Sequence, residues 1–236
     1  MAQSRDRLIG RLAAVLASLH AVESGAARLC EAGRRMLDAD GAALTIVSAN
    51  RSRLVVATTD DLASELEDLQ EVVGEGPSRD AFERNSLQVA DFSTPEAGRW
   101  SLMHEHGQRL GFSGRVVAVP LRPDELPVGV LSAHRADTGF RVDPLTAEVL
   151  GVAIGTALLQ DSRLGVQGDV FAEVWPDRAR IHQATGMIIS QVGVRPEDAL
   201  ALLRGHAFAS NTTLLDVAQQ VVERHINFRH FTIEGD

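Results

Sequence analysis

The sequence predicts an α+β domain with a central antiparallel sheet and helices, followed by a small all-α domain of three helices. β-rich runs alternate with helical runs through the first two thirds of the chain, whereas the last third has helical periodicity alone. The chain has 236 residues, 44% of them hydrophobic, which is enough for one large core and one small one. We therefore expect a first domain over residues 1–165 and a second over residues 166–236, joined by the glycine-containing segment 161–169.

The first element is a predicted long helix that ends near Asp38. Apolar residues recur there at alternating spacings of four and three, as on one face of a helix. This seam is either a coiled-coil dimer contact or a face buried on a sheet. It consists of Leu8, Leu12, Val15, Leu19, Val22, Ala26 and Leu29.

Five β-rich runs and four further helical runs complete the first domain. The strands are AALTIVSA, RLVVATT, LQVADF, RVVAVPL and VGVLSAHR, and the first two should form a hairpin through residues 50–52. Helices are expected over 62–70, 77–84, 100–110 and 144–159, with Pro77 at a first helical position. The glycines around Glu75 read as a plain turn.

The second domain has helical patterns over roughly 177–192, 196–209 and 213–226. Gly193 with Pro196 marks the first boundary, and Asn211 with Thr212, both good capping residues, marks the second.

The first of these helices has an unusual outward face. Its inward face carries Ile181, Ala184, Ile188 and Val192, whereas the opposite face carries Ala179, Gln183, Gly186 and Ser190. A glycine inside a helix costs about 1 kcal/mol against alanine. A small, neutral face lets another surface approach closely, and both a protein helix and a nucleic acid fit this pattern.

Composition and motifs exclude several function classes. The net charge is −9 and all 23 basic residues are arginines, so a broad basic surface is not expected. The single Cys30 excludes an intramolecular disulfide and a thiolate zinc cage, and we expect it to be inert in the core. No run is long and apolar enough to span a membrane, and no leader is recognisable.

No catalytic or metal motif emerges. His104 and His106 diverge at i,i+2 on a helix, so a polar helix face is expected there rather than a metal site. The remaining histidines lack ligand spacing, and no nucleophile elbow or paired carboxylate motif is present. We expect no enzyme, no metal, no cofactor, and a soluble protein of a reducing compartment.

The C-terminal run RIHQATGMIISQVGVRPEDALALLRGHAFASNTTLLDVAQQVV resembles the ANTAR domain, a three-helix RNA-binding module of transcription antiterminators. The likeness extends over all three helices. The matching positions are Ala184 and Gly186, then Ala199, Leu200, Leu203, Arg204 and Ala207, then Asp216, Val217 and Ala218. Many members have lysine where this chain has Thr185, and the threonine form is common among actinobacterial members.

The first 165 residues are similar to the GAF domain that precedes ANTAR in such regulators. GEGPSRDAF, VADF, Arg99 with Trp100, VVAVPL and VGVLSAHR carry this likeness. Ser78 stands where the subfamily often has cysteine, which argues against thiol redox sensing there. The sequence leaves the identity and the existence of a small-molecule ligand of the GAF domain open.

The resemblance implies a cytoplasmic regulator, expected to be a homodimer, that binds paired RNA hairpins with hexanucleotide loops under control of the GAF domain. Loop recognition relies on hydrogen bonds and stacking with splayed bases. The expected RNA-binding residues are Arg178, Arg180, His182, Gln183, Thr185, Gly186, Ser190 and Arg204. Two alternatives stay open: a dimeric sensor or scaffold whose C-terminal helices bind a protein, and a DNA-binding repressor.

Overall fold

A computed structural model describes the backbone of residues 2–22, 24–47, 53–94, 99–160 and 170–230. The side chains of residues 2, 170–179, 182, 196, 197 and 230 are outside this description. The chain divides into two compact units, residues 1–70 with 75–169 and residues 71–74 with 170–236. The predicted linker 161–169, and with it the predicted boundary after residue 165, lies outside the described residues.

The first unit is built on a five-stranded antiparallel sheet with the order β2-β1-β5-β4-β3. All five β-rich runs form strands, and the first two form the predicted hairpin pair. The strands are β1 (Gly41–Val47), β2 (Arg53–Thr58), β3 (Gln88–Asp91), β4 (Arg115–Leu121) and β5 (Gly129–Arg135).

Helices cover both faces of this sheet. They are α1 (Ala2–Ser18), α2 (Gly25–Leu37), α3 (Asp61–Val73), α4 (Pro77–Arg84), α5 (Ser101–Arg109) and α6 (Pro144–Gln160). Leu131 of β5 packs against Gly33 of α2, whereas the next residue, Ser132, meets Glu67 of α3. Because successive side chains of a strand point to opposite faces, α2 and α3 lie on opposite sides of the sheet.

The predicted single long helix is wrong, because two helices, α1 and α2, occupy its range. The Ser24 side chain accepts a hydrogen bond from the Ala27 N–H at 3.4 Å and so caps a new helix. Leu12, Leu19 and Leu29 of the seam are nevertheless buried. The apolar spacing therefore continues across the break between the two helices. Because these leucines are buried without a second chain, the structure favours a seam that packs within the domain over a coiled-coil dimer contact.

Two further expectations for the first unit are corrected. His104 and His106 do not form a polar face: they are only 3% and 8% exposed, and the His104 ring lies 4.9 Å from that of Phe92. The turn around Glu75 is more than a plain turn, since the Glu75 carboxylate accepts hydrogen bonds from the Leu102 and Met103 N–H groups at the start of α5. The carboxylate thereby satisfies two backbone N–H groups that have no partner within the helix at its N-terminus.

The second unit contains α7 (Val170–Val192), α8 (Pro196–Ser210) and α9 (Leu214–Val222), followed by a short 3-10 turn, Phe228–His230. The three predicted helices are present in order. α7 begins before the expected residue 177, and α9 ends before the expected residue 226, because Arg224 takes a left-handed φ of 64° that a helix cannot continue through.

The core of the second unit joins its three helices. α7 contributes Ala184 and Ile188, which are fully buried. From α8 and α9 come Ala199, Leu203, Ala207, Leu214, Val217, Ala218 and Val221. This fixes the rotation of α7 about its axis, and with it the face that points away from the core.

Candidate nucleic-acid interface

The outward face of α7 is small and neutral, as the sequence indicates. Gln183, Gly186 and Ser190 are exposed, while Ala184 and Ile188 between them are buried. Ile181 and Val192 pack partly buried against the core, in agreement with the expected inward side. Ala179, expected on the outward face, lies among the residues whose side chains are not described.

Gly186 is the point of closest access on this face. A Cβ placed on it would have no described atom within 4 Å, so no packing contact among the described residues requires glycine there. Its backbone is ordinary right-handed helix, so no positive φ requires it either. The loss of helix stability caused by this glycine is therefore not compensated by any contact in the described part of the chain.

The hydroxyl of Thr185 is used inside the helix. Its Oγ1 donates to the Ile181 carbonyl at 2.7 Å, and the side chain is half-buried. Back-bonding of this kind is common for threonine in helices. Only the acceptor lone pairs of this hydroxyl remain for a ligand.

Two of the expected arginines, Arg180 and Arg204, have described side chains. Arg180 is exposed near the start of the described side chains of α7. Arg204 of α8 is partly buried, and its Nη2 donates at 2.8 Å to Oε1 of Glu71. Glu71 is in the last turn of α3, whose end the division of the chain assigns to the second unit. Arg178 and His182, also expected at this interface, have side chains outside the description.

Capping interactions hold α8 and α9 in place behind α7. Asn211 ends α8 in a left-handed conformation with φ 50°, as Asn does readily at helix ends. Thr213, one residue after the expected Thr212, begins α9, and its Oγ1 accepts from the Asp216 N–H at 3.1 Å. Hydrogen bonds from Thr213 and Thr212 lower the pKa of Asp216 below its ordinary value.

The first unit contains a buried polar cluster that sequence reasoning missed. Glu67 of α3 is 4% exposed, and its Oε1 accepts from Ser78 Oγ at 2.5 Å, Ser132 Oγ at 2.7 Å and Gln70 Nε2 at 3.0 Å. Its Oε2 accepts from Thr45 Oγ1 at 3.1 Å and lies 3.4 Å from Arg53 Nη2.

A signal for this cluster was present in the sequence. Ala63, Leu66, Glu67 and Gln70 follow the i, i+3, i+4, i+7 spacing of one helix face, and that face is buried. A charged residue on an apolar helix face requires partners once it is buried. The serines that supply them come from α4 and β5, which spacing along α3 does not reveal.

The space beside this cluster is nearly filled. A cavity of about 10 Å³ is lined by Glu67, Ser132, His134 and neighbouring alanines, close to the smallest space that holds one water molecule. A larger cleft of about 450 Å³ opens near Asp91, Arg115 and Phe140. Arg115 Nε donates to Asp91 Oδ2 at 2.7 Å, so these two charges largely neutralise each other.

Cys30 lies in the core of the first unit at 0% exposure. Burial raises the pKa of its thiol to about 12. Among the described residues, no group of three or more His, Cys, Asp or Glu side chains could hold a metal ion. None of the helices in the described ranges is long and apolar enough to cross a membrane.

Comparison with protein families gives a match to the ANTAR domain over residues 176–222. These residues include α7 from its seventh position, all of α8 and all of α9. No curated protein matches the chain.

Solved structures similar to this chain include GAF domains. One is the GAF domain region of a protein from Geobacter sulfurreducens, with 18% identity and a TM-score of 0.43, covering 64% of this chain and 97% of that one. Another is the phycocyanobilin-bound GAF domain of a cyanobacterial phytochrome, with 14% identity and a TM-score of 0.41, covering 65% and 97%. A third is the GAF-B domain of DevS from Mycobacterium smegmatis, with 18% identity and a TM-score of 0.33, covering 65% and 94%.

The predicted combination, an α+β unit with a central antiparallel sheet followed by a helical unit that matches the ANTAR domain, is confirmed.

Proposed function

We propose that this chain, whose residues 176–222 match the ANTAR domain, is an RNA-binding transcription antitermination regulator. In this proposal the ANTAR domain binds paired RNA hairpins with hexanucleotide loops, and the GAF-like unit controls that binding in the cytoplasm. The partner is nascent mRNA, and the protein acts as a homodimer without catalysing a reaction.

The observation that carries the proposal is the open space at Gly186 on an exposed, neutral helix face. A splayed base of a hairpin loop is flat and can approach a helix closely only where side chains are small. Gln183 and Ser190, one turn to either side, offer amide and hydroxyl groups to the edges of such a base. This supports recognition of a loop rather than of a groove.

Arginines supply the complementary charge. Arg180 lies beside the outward face, and Arg178, His182, Thr185 and Arg204 complete the proposed contact set. Phosphate contacts position a nucleic acid, whereas base contacts give specificity. We assign the arginines to the first role and Gln183 with Ser190 to the second.

The proposal is tested by titrating the full chain with a labelled RNA that carries two hexanucleotide-loop hairpins. A loop-scrambled RNA and a duplex DNA of equal length serve as comparison ligands at physiological salt. Selective binding to the intact double hairpin is expected. Equal or absent binding to all three would contradict the proposal and would favour a protein partner for α7.

Gly186→Glu and Gly205→Glu form a matched pair for this experiment. Both glycines lie inside helices of the same unit, and a Cβ on either has no described atom within 4 Å. Both substitutions add the same charge, so they change long-range repulsion alike. We expect Gly186→Glu to weaken RNA binding at least tenfold and Gly205→Glu to change it about twofold; similar losses in both would place the contact elsewhere.

A further inference from the structure

The residues after the ANTAR match continue the folded unit. Phe228 is 3% exposed and joins the core of the second unit, where its ring stands edge-on to His206 with centroids 5.7 Å apart. Its N–H donates to Gln191 Oε1 at 2.9 Å. The 3-10 turn is therefore anchored to the C-terminal end of α7.

This anchoring fixes the position of the next residue, Arg229. Its N–H donates to Asn227 Oδ1 at 3.0 Å, and its Nε donates to the Gln191 carbonyl at 3.3 Å. The side chain is exposed, and within the described residues the Nη1 and Nη2 atoms have no protein partner. An arginine held through its Nε keeps the N–H donors of its two Nη atoms for an anion.

Arg180 and Gln191, whose carbonyl holds Arg229, lie along the same edge of the outward face. At 100° per residue, Arg180 and Gln191 are within about 20° of each other around α7. The two residues are eleven positions apart, which is about 16 Å along the axis. Gln183, Gly186 and Ser190 fall between these two positions along the axis, and around the helix they lie about 60° to 120° from Arg180. The two cations therefore lie along one edge of the neutral face.

We propose that Arg229 is a phosphate-binding residue that extends the RNA surface of α7 beyond the ANTAR match. This inference rests on the proposed function. A span of about 16 Å corresponds to roughly five nucleotides at 3.4 Å per phosphate of a stacked strand, which is close to the length of the proposed hexanucleotide loop. Arg229 contacts the backbone and carries no sequence preference.

The test uses Arg229→Ala, Arg229→Lys and, as a charge-matched control, Arg141→Ala in the first unit. Arg141 is exposed, so its removal changes the net charge equally. Dissociation constants of the full chain for the double-hairpin RNA are measured between 50 and 300 mM salt, a range of about sixfold over which counterion release is measurable.

We expect Arg229→Ala to weaken binding about three- to tenfold and to reduce the slope of log K against log salt by about 0.7 to 0.9. Arg229→Lys should restore most of that slope, and Arg141→Ala should leave it unchanged. The fold-loss should be the same for a loop-scrambled RNA wherever that RNA binds measurably, since the contact is to phosphate.

The outcomes separate this inference from the proposed function. If the wild-type chain fails to select the double hairpin, the proposed function fails. If the wild type selects it and Arg229→Ala keeps the full salt slope, Arg229 is only a cap of α7 and the inference alone is overturned. Thermal unfolding of each variant identifies the capping role, because loss of a cap lowers the midpoint without changing the salt slope.

Discussion

Glu67 is a residue whose removal should affect the first unit strongly. Its buried carboxylate accepts hydrogen bonds from three hydroxyl groups and one amide. Glu67→Ala leaves these donors, and the Arg53 charge, without their acceptor. We expect the free energy of unfolding to fall by about 3 kcal/mol, as for other broken buried ion pairs, measured by urea denaturation.

Glu65→Ala is the matched control on the same helix. Glu65 is exposed two residues earlier, so its loss should change the free energy of unfolding by less than about 0.5 kcal/mol. Glu67→Gln keeps the shape and one acceptor oxygen and should lie between the two. Equal stability of the Glu67 and Glu65 variants would mean that the cluster contributes nothing.

Cys30 offers a separate test of the first unit's core. With a pKa of about 12 and 0% exposure, its thiol is neither ionised nor accessible. The thiolate is the reactive form, and a pKa of about 12 leaves about one thiol in ten thousand ionised at pH 8. We expect a thiol reagent to label the folded chain at least 100-fold more slowly than the urea-unfolded chain.

Since Cys30 is the single cysteine of the chain, the labelling signal has one source. Labelling of the folded chain at the rate of a free thiol would contradict the buried position of α2 against β1 and β2.

The outward face of α7 was recognisable at the level of single residues, whereas the Glu67 cluster was not. Gly186 is recognisable because glycine lowers the stability of a helix by a known amount wherever the helix lies. A helical wheel then assigns it to the outward face without tertiary information. The partners of Glu67 come from β1, β2, β5 and α4, so only the folded sheet brings them together. His104 and His106 were misassigned for a related reason: the aromatic ring of Phe92 that buries His104 belongs to another element.

Elements were predicted with better success than their ends. Every predicted strand formed, because short β-rich runs between turn residues carry their own signal. The break between α1 and α2 was missed because Leu19 and Ala26 are both buried and keep the seam spacing across it. A serine cap is a one-residue signal, and here the longer periodicity obscured it.

The start of α9 gives a prediction at the scale of an element. Thr213 and Asp216 form a capping box, and the threonine hydroxyls lower the pKa of Asp216. We expect Asp216→Asn to reduce the free energy of unfolding of the second unit by about 1 kcal/mol at pH 7. Helix loss in urea, followed by circular dichroism, measures it, with the exposed Gln220→Ala on the same helix as control.

The sign of the pH dependence follows from the lowered pKa. The folded carboxylate binds protons less readily than the unfolded one, so its stabilisation is present above the ordinary Asp pKa of about 4. It is lost as the pH falls through the lowered folded value. Wild type and Asp216→Asn should therefore differ at pH 7 and converge at low pH; a constant difference would exclude a contribution from the charge.

At the scale of the whole molecule, the chain is acidic and its proposed ligand is a polyanion. Its 32 acidic residues outnumber its 23 arginines and give a net charge of −9. The summed field opposes RNA, so the arginines near α7 must act locally and each hairpin should bind weakly. Affinity then has to come from two sites acting together.

A homodimer on a two-hairpin RNA meets this requirement. Once one hairpin is bound, the second binds at an effective concentration set by the spacer, which can raise affinity by about 10²-fold or more without a new contact. We expect the double hairpin to bind at least 100-fold tighter than either hairpin alone. Titrations with both RNAs, combined with light scattering for the mass of the complex, measure this.

Spacer length distinguishes avidity from a single extended site. A spacer too short to reach both sites should abolish the gain, and a long flexible one should reduce it gradually, as chain statistics require. One extended site would instead need a fixed spacing and would bind one chain per RNA. Equal affinity for single and double hairpins, with one chain in each complex, would contradict the dimer and leave the weak local contacts of α7 to account for all of the binding.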